Sequence, residues 1–335
     1  RKNKPMTVLP KDVPVPDYFP DLPEVREGIA RKYSNIEALD KEVGELLNKL
    51  EEDGVLDNSI IFFWSDHGGN LLRQKRAVGN SGLNVPLIIR YPDGHRKGQT
   101  DDRMVSLMDL GPTVMSILGI EPPIYMDGKP FAGKFEKSPR KYIFGSADRF
   151  DESTDMQRSV LDGRFVYIKN FMPELPLIYR NKYREQIPMN KLLIDLNQNG
   201  DLQGDASYIF MSKKPIEELY DLSSDPYEVN NLANNEDFKY KLLELRKQLE
   251  NWQIEVDDKG FLPESEIINE FWPNMIQPVT SDVSINISNN EITLNCNTEG
   301  ASIGYQTDED IGTKFWQLYT KPIDLEGIEK ICARA

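Results

Sequence analysis

A short apolar and aromatic run, IIFFW at positions 60–64, is followed by Ser65, Asp66 and His67, then two glycines, then a basic cluster of Arg73, Lys75 and Arg76. His67 is one of only two histidines in 335 residues. An Asp carboxylate is a hard oxygen ligand suited to Ca²⁺ or Mg²⁺. The imidazole beside it is a candidate ligand, acid–base group or hydrogen-bond donor. Neighbouring side chains leave an extended strand in opposite directions. Both reach one ion only where the backbone bends, which Gly68 and Gly69 permit. The plainer alternative is an Asp that caps the next helix beside a surface His. A charge cluster such as Arg73, Lys75 and Arg76 is usually a solvated face. Next to a metal site it would also supply positive charge to the far side of a bound oxyanion.

The elements that must position these residues follow from periodicity. From Glu24, Ile29, Tyr33, Ile36, Leu39, Val43, Leu46, Leu47 and Leu50 recur at helical spacing, and EEDGVLDNS ends the helix. IIFFW and VPLIIRYP show little alternation, which suits strands buried on both faces, as in a parallel sheet. MDLGPTVMSILGI reads as a helix with Asp109 near its start and Pro112 in its first turn. This order predicts an α/β layer architecture, with Asp66 and His67 at the carboxyl end of a parallel strand, where ligands gather. Beyond Pro123 the texture changes. KYIFGSA, QRSVLDGRFVYIKNF and PIEELYDLS predict antiparallel strands, with LDGR a hairpin turn. DFKYKLLELRKQLENWQIEV predicts an amphipathic helix, Pro273 to Ser281 a linker, and Ser284 onward a small all-β module.

Forty Lys and Arg against fifty-five Asp and Glu give a net charge of −15, which argues against a nucleic-acid partner but not against an anionic substrate held by a local basic cluster. No apolar run approaches the roughly 18 residues of a membrane span. Cys296 and Cys332 could pair, but two thiols say little about redox compartment. The opening RKNKPMTVLP and the closing EKICARA suggest a piece of a longer protein.

In order, DNSIIFFWSDHGG, Lys75, SGLNVPLIIRYP and VSLMDLGPTVMSILGI resemble the latter part of a type I sulfatase, the formylglycine-dependent branch of the alkaline phosphatase superfamily. EELYDLSSDPYEVNNLAN resembles a phrase of that family's C-terminal subdomain, and the likeness spans Tyr33 to Trp252. The resemblance implies that Asp66 and His67 are two ligands of a Ca²⁺ ion, with Mg²⁺ as an alternative. It implies that Lys75 contacts the sulfate, with Arg76 a neighbouring substrate-binding candidate. In the proposed subdomain Arg149 and Arg158, with Asp148 and Asp155, would lie near a sulfated sugar; ordinary ion pairing competes with that reading. His95, in YPDGHRKGQ, reads as a surface turn, and the DLSSDPYEVNNLA stretch as turn and capping chemistry.

The departures are specific. The family's formylglycine arises from Cys or Ser in a C/S-x-P-S-R stretch, but here Cys296 precedes NTEG and Cys332 precedes ARA. The paired aspartates and the central Lys and His of the family are expected upstream of Arg1. The adjacent Asp pair in TDDR reads as a turn. The domains expected are 1–135, the latter part of a sulfatase α/β domain; 136–275, an antiparallel α+β subdomain; and 280–335, a partial β-sandwich. That last segment resembles a hexosaminidase-type accessory module, where Trp316 and Tyr319 are either core or a sugar platform. The resemblance implies a periplasmic or secreted enzyme hydrolysing sulfate esters or N-sulfates on sulfated glycans. A phosphodiesterase or phosphonate hydrolase of the same superfamily, and a non-catalytic glycan-binding protein on a sulfatase frame, are the alternatives.

Overall fold

A computed structural model describes residues 5–150 and 152–335. The chain divides into two compact units, one ending at Asp258 and the other running from Lys259 to Ala335. In the first unit, helix α1 (Pro23–Glu52) starts on a proline at its first turn, where a missing N–H costs nothing. It buries Val25, Ile29 and Ala30. Strand β1 (Ile61–Trp64) follows, then the short helix α2 (Asn80–Leu83), β2 (Leu87–Arg90) and α3 (Leu110–Ile117). A capping box, Ser106 with Asp109, opens the turn leading into α3. Asp109 is also gripped by the Arg140 guanidinium, whose Nε lies 2.9 Å from its Oδ2.

β1 and β2 pair antiparallel, with Ile61 opposite Arg90 and Trp64 opposite Leu87. The expected parallel relation is therefore corrected. Unalternating apolar strands signal burial, not direction, and the connection from 65 to 86 lacks the crossover helix that a parallel pair needs. Burial on both faces does not hold either, since Trp64 is 45% and Ile88 61% exposed.

The antiparallel expectation holds. β3 (Ile143–Phe150), β4 (Ser153–Leu161), β5 (Phe165–Asn170) and β6 (Glu217–Asp221) form one sheet in sequence order. Two helices not foreseen, α4 (Pro188–Asn199) and α5 (Asp205–Tyr208), lie between β5 and β6; α6 (Lys239–Glu255) follows β6. Leu242, Leu245 and Leu249 of α6 pack on Val160, Phe165, Tyr167 and Leu219 of the sheet, and Phe144 stacks on Trp252 at 4.9 Å. Val78 packs with Ala147, Val166, Ile168 and Tyr220, so the segment after β1 is tied to this sheet too. Leu71 and Leu72 enter a further core with Ile29 of α1 and Met189 and Leu193 of α4. Two separate cores therefore anchor the loop that carries the basic cluster.

The second unit begins with α7 (Glu264–Phe271) and holds two antiparallel three-stranded sheets. One contains β7 (Val283–Ser288), β8 (Glu291–Cys296) and β11 (Ile323–Asp324). The other contains β9 (Gly304–Thr307), β10 (Gln317–Leu318) and β12 (Ile331–Arg334). Ile292, Leu294 and Ile303 form its core, with Tyr319 packed against them. Arg334 lies 3.9 Å over the Trp316 ring, and the Cys296 and Cys332 thiols are free. Among the described residues no helix is long and apolar enough to cross a membrane.

Candidate functional site

Asp66 and His67 stand directly after β1 and share the solvent-facing tip of the strand. The Asp66 side chain is 80% exposed and that of His67 37%. Asp66 Oδ1 accepts the backbone N–H of His67 at 3.0 Å, which turns Oδ2 toward the imidazole. His67 Nδ1 lies 2.7 Å from the carbonyl oxygen of Gly68. A carbonyl can only accept, so Nδ1 carries a proton and donates. Oδ2 of Asp66 is 3.3 Å from His67 Nε2. Two donors at this separation span one edge of an octahedron with metal–ligand bonds of ~2.3 Å, within the range of a hard divalent cation. A carbonyl fixing the tautomer of an imidazole ligand is a recurrent outer-shell arrangement. The pair fits a metal by donor type and by spacing. Among the described residues no group of three or more His, Cys, Asp or Glu gathers to hold an ion.

The glycines act by close approach rather than by unusual dihedral angles. A Cβ on Gly68 would stand 2.1 Å from the Ser81 carbonyl oxygen, and one on Gly69 would stand 2.4 Å from both Gln74 Oε1 and Lys32 Nζ. The left-handed positions belong instead to Arg73 (φ 64°) and Arg76 (φ 74°). The Lys75 N–H donates to the Gly69 carbonyl at 2.8 Å, folding the basic cluster back beside the strand tip. Lys32 of α1 supports the fold from below, with Nζ 2.8 Å from Gln74 Oε1, and burial pushes its pKa down.

The three basic residues then separate. Arg73 is buried and donates to the carbonyls of Tyr227 and Glu228; it pairs with the Glu228 carboxylate at 3.7 Å and lies over the Tyr18 ring at 5.2 Å. Glu228 also accepts the Asn80 N–H at 2.7 Å. The SDPYEVNN stretch is therefore a structural bolt, as its turn chemistry suggested: Asp225 accepts the N–H groups of Val229 and Asn230, and Asn231 those of Leu219 and Ala233. Lys75 and Arg76, together with Arg73, line an open cleft of about 80 Å³ between this loop and the four-stranded sheet. Asp66 and His67 do not line it.

The remaining expectations divide as well. Asp148 and Asp155 line the cleft, whereas Arg149 and Arg158 do not. Arg149 is exposed near the end of β3. Arg158 is corrected as a substrate contact. Its side chain is 1% exposed, and all three guanidinium nitrogens donate to Asp148, Asp258 or the Gln157 carbonyl. His95 sits by Tyr91, ring edge to face, in the turn after β2. Tyr179, from the irregular segment after β5, joins the cleft with no sequence signal to mark it. Every carboxylate on the cleft wall has an internal partner: Asp148 binds Arg158, Asp155 binds Lys214, Glu218 binds Asn170 and Tyr220, and Glu228 binds Arg73. Lys75 has no such ion pair among the described residues, so the cleft favours an anion in spite of the chain's net charge.

Residues 9–120 match the sulfatase family. An ulvan-active sulfatase of Formosa agariphila is 44% identical over 314 residues, covering 93% of this chain and 53% of the relative. The human N-sulphoglucosamine sulphohydrolase is 27% identical over 294 residues, covering 83% of this chain and 58% of the relative. The solved structure of a 2-O GAG sulfatase aligns with a TM-score of 0.52 at 20% identity, over 71% of this chain and 45% of that one, a likeness of fold. The chain spans about half the length of the curated relatives it matches.

Proposed function

Since this chain belongs to the sulfatase family, we propose that the whole protein hydrolyses sulfate esters, or N-sulfates, on a sulfated glycan. Ulvan is the first substrate to try, by likeness to the Formosa agariphila protein. The observation that carries this reading is the strand-tip pair. Asp66 Oδ2 and His67 Nε2 lie 3.3 Å apart, and the Lys75 backbone is tied to Gly69 just beyond them. In this reading Asp66 and His67 hold a divalent cation, Ca²⁺ in the first instance. When bound, the ion withdraws charge from the sulfate oxygens as a Lewis acid. Lys75 donates to a sulfate oxygen and offsets the negative charge that builds there as the S–O or S–N bond breaks. Arg76 adds positive charge on the same wall. The nucleophile and further cation ligands come from outside these 335 residues, because no C/S-x-P-S-R stretch is present. Periplasmic or secreted placement belongs to the same reading, since polymeric sulfated glycans lie outside cells.

The test uses the whole, metal-loaded protein and ulvan oligosaccharides, with released sulfate as the readout. Lys75→Ala should lower kcat/KM by about two to three orders of magnitude while bound metal stays constant. Asp66→Ala should lower bound metal, measured by elemental analysis, together with turnover. Wild-type rates in both variants would overturn the assignment.

A further inference from the structure

The wall of the cleft opposite Lys75 is a connection without regular structure, residues 171–183, between β5 and the turn Arg184–Gln186. Connections of this length without regular structure are longer than most in compact domains. Ile178, Tyr179 and Asn181 from this segment line the cleft, facing Phe150 from the end of β3. One buried group holds the segment in place. The Lys214 side chain is 0% exposed. Its Nζ lies 2.9 Å from both Asp155 oxygens, and 3.3 Å from the Pro176 carbonyl and from the Tyr179 hydroxyl. The Lys214 N–H donates to the Pro173 carbonyl at 2.8 Å, so lysine and segment are joined through backbone and side chain. At the other end, Glu152 in the β3–β4 turn accepts the Lys182 N–H at 3.2 Å and the Asn181 amide at 3.3 Å.

A buried ion pair is a weak source of stability, because desolvation offsets much of the attraction and an apolar pair of like size often packs as well. Its use here is geometric. An ammonium with three donors fixes a strand carboxylate, a loop carbonyl and a loop phenol at one point, which no aliphatic side chain can do. The wall it fixes is mostly apolar with a few polar groups, the texture of a small-molecule site. It faces the loop that carries Lys75.

We propose that segment 171–183 is the wall that recognises sugar rings beyond the sulfated one, and that Lys214 is its positioning residue, setting selectivity for oligosaccharides over small sulfate esters. This rests on the sulfatase reading above. Ring faces pack against Phe150, Ile178 and Tyr179, while the sulfated end lies toward Lys75.

The test compares the whole, metal-loaded protein with its Lys214→Met and Tyr179→Phe variants. The probes are a size-defined ulvan tetrasaccharide and 4-nitrophenyl sulfate. In Lys214→Met, KM for the tetrasaccharide should rise about tenfold with kcat within about threefold, and the ratio of kcat/KM between the two substrates should fall about tenfold. Tetrasaccharide affinity by calorimetry should fall in parallel, and amide exchange across 171–183 should quicken. Tyr179→Phe, which keeps the ring and removes only the hydroxyl, should raise the same KM by about threefold, and it serves should Lys214→Met fail to fold. Equal losses on both substrates, or an unchanged tetrasaccharide KM and affinity in the folded variants, overturn the proposal. A wild-type protein that binds the tetrasaccharide, weakens in the folded variants and cleaves neither substrate would refute the sulfatase reading and uphold the wall. A wild-type protein that neither binds nor cleaves would overturn both.

Discussion

Asp221 shows what single carboxylates contribute here. It ends β6 and is nearly buried. Arg164 donates to its two oxygens at 2.8 and 2.6 Å, and the Ser223 hydroxyl adds a third bond at 2.7 Å. The Arg164 guanidinium, more than any other group, holds this carboxyl well below the usual carboxylate range. A depressed pKa means that the folded state favours the ionised form. The stabilisation is therefore full above the unfolded value, about 3.9, and is lost as pH falls through the folded one. Asp162 acts in the same direction: burial raises its pKa, but the N–H groups of Phe165 and Arg164, with Lys241, outweigh that and leave it lowered. Melting temperature followed from about pH 5 to pH 2 should thus fall less steeply in Asp221→Asn than in the wild type. Parallel curves would show that Asp221 carries none of the acid sensitivity.

The loop between β1 and β2 carries the proposed site, and besides its two cores it is held by one polar bolt. Arg73 holds a left-handed backbone, which costs about 1–2 kcal/mol for a residue with a Cβ. The side chain offsets this through two carbonyls and the buried Glu228 carboxylate. Arg73→Ala would strand Glu228, whose carboxyl burial already pushes up, at a cost of about 3–5 kcal/mol. Adding Glu228→Gln should recover part of that loss in urea denaturation; a double variant no more stable than Arg73→Ala would show that the carboxylate is not the source. This bolt also marks where sequence reading ran out. The strands, the LDGR hairpin, α1 and α6 were legible because local periodicity and turn chemistry set them. Asp66, His67 and Lys75 were marked as candidates by residue type at a strand end and by resemblance, and the place of Asp66 and His67 directly after β1 was legible. The antiparallel pairing of β1 and β2, the burial of Arg73 and Arg158, and the recruitment of Tyr179 and Lys214 were not, because each is decided by partners distant in sequence. Arg73, Lys75 and Arg76 look alike as letters. All three line the cleft, but Arg73 is also an anchor, according to what lies across from it.

At the scale of the whole molecule, the proposed site holds fewer groups than its proposed chemistry needs. Asp66 and His67 supply two donors, whereas Ca²⁺ takes about six to eight. These 335 residues alone should therefore gain little thermal stability from millimolar Ca²⁺ and should show no sustained turnover of 4-nitrophenyl sulfate. A saturable rise in melting temperature abolished by Asp66→Ala, or turnover lost in Lys75→Ala, would show that the chain completes the site itself. The Arg73–Glu228 bolt also has a consequence in time. Its partners are 155 residues apart, and a contact of that span forms only after the loop-closure entropy has been met by other pairings. During synthesis at about 5–20 residues per second, the basic loop would wait on the order of ten to thirty seconds for its anchor to be made. Until then Leu71, Leu72 and Val78 have no complete core to enter. The cleft is thus a late product of folding, and the nascent loop stays apolar and cationic at once until its distant partners are made.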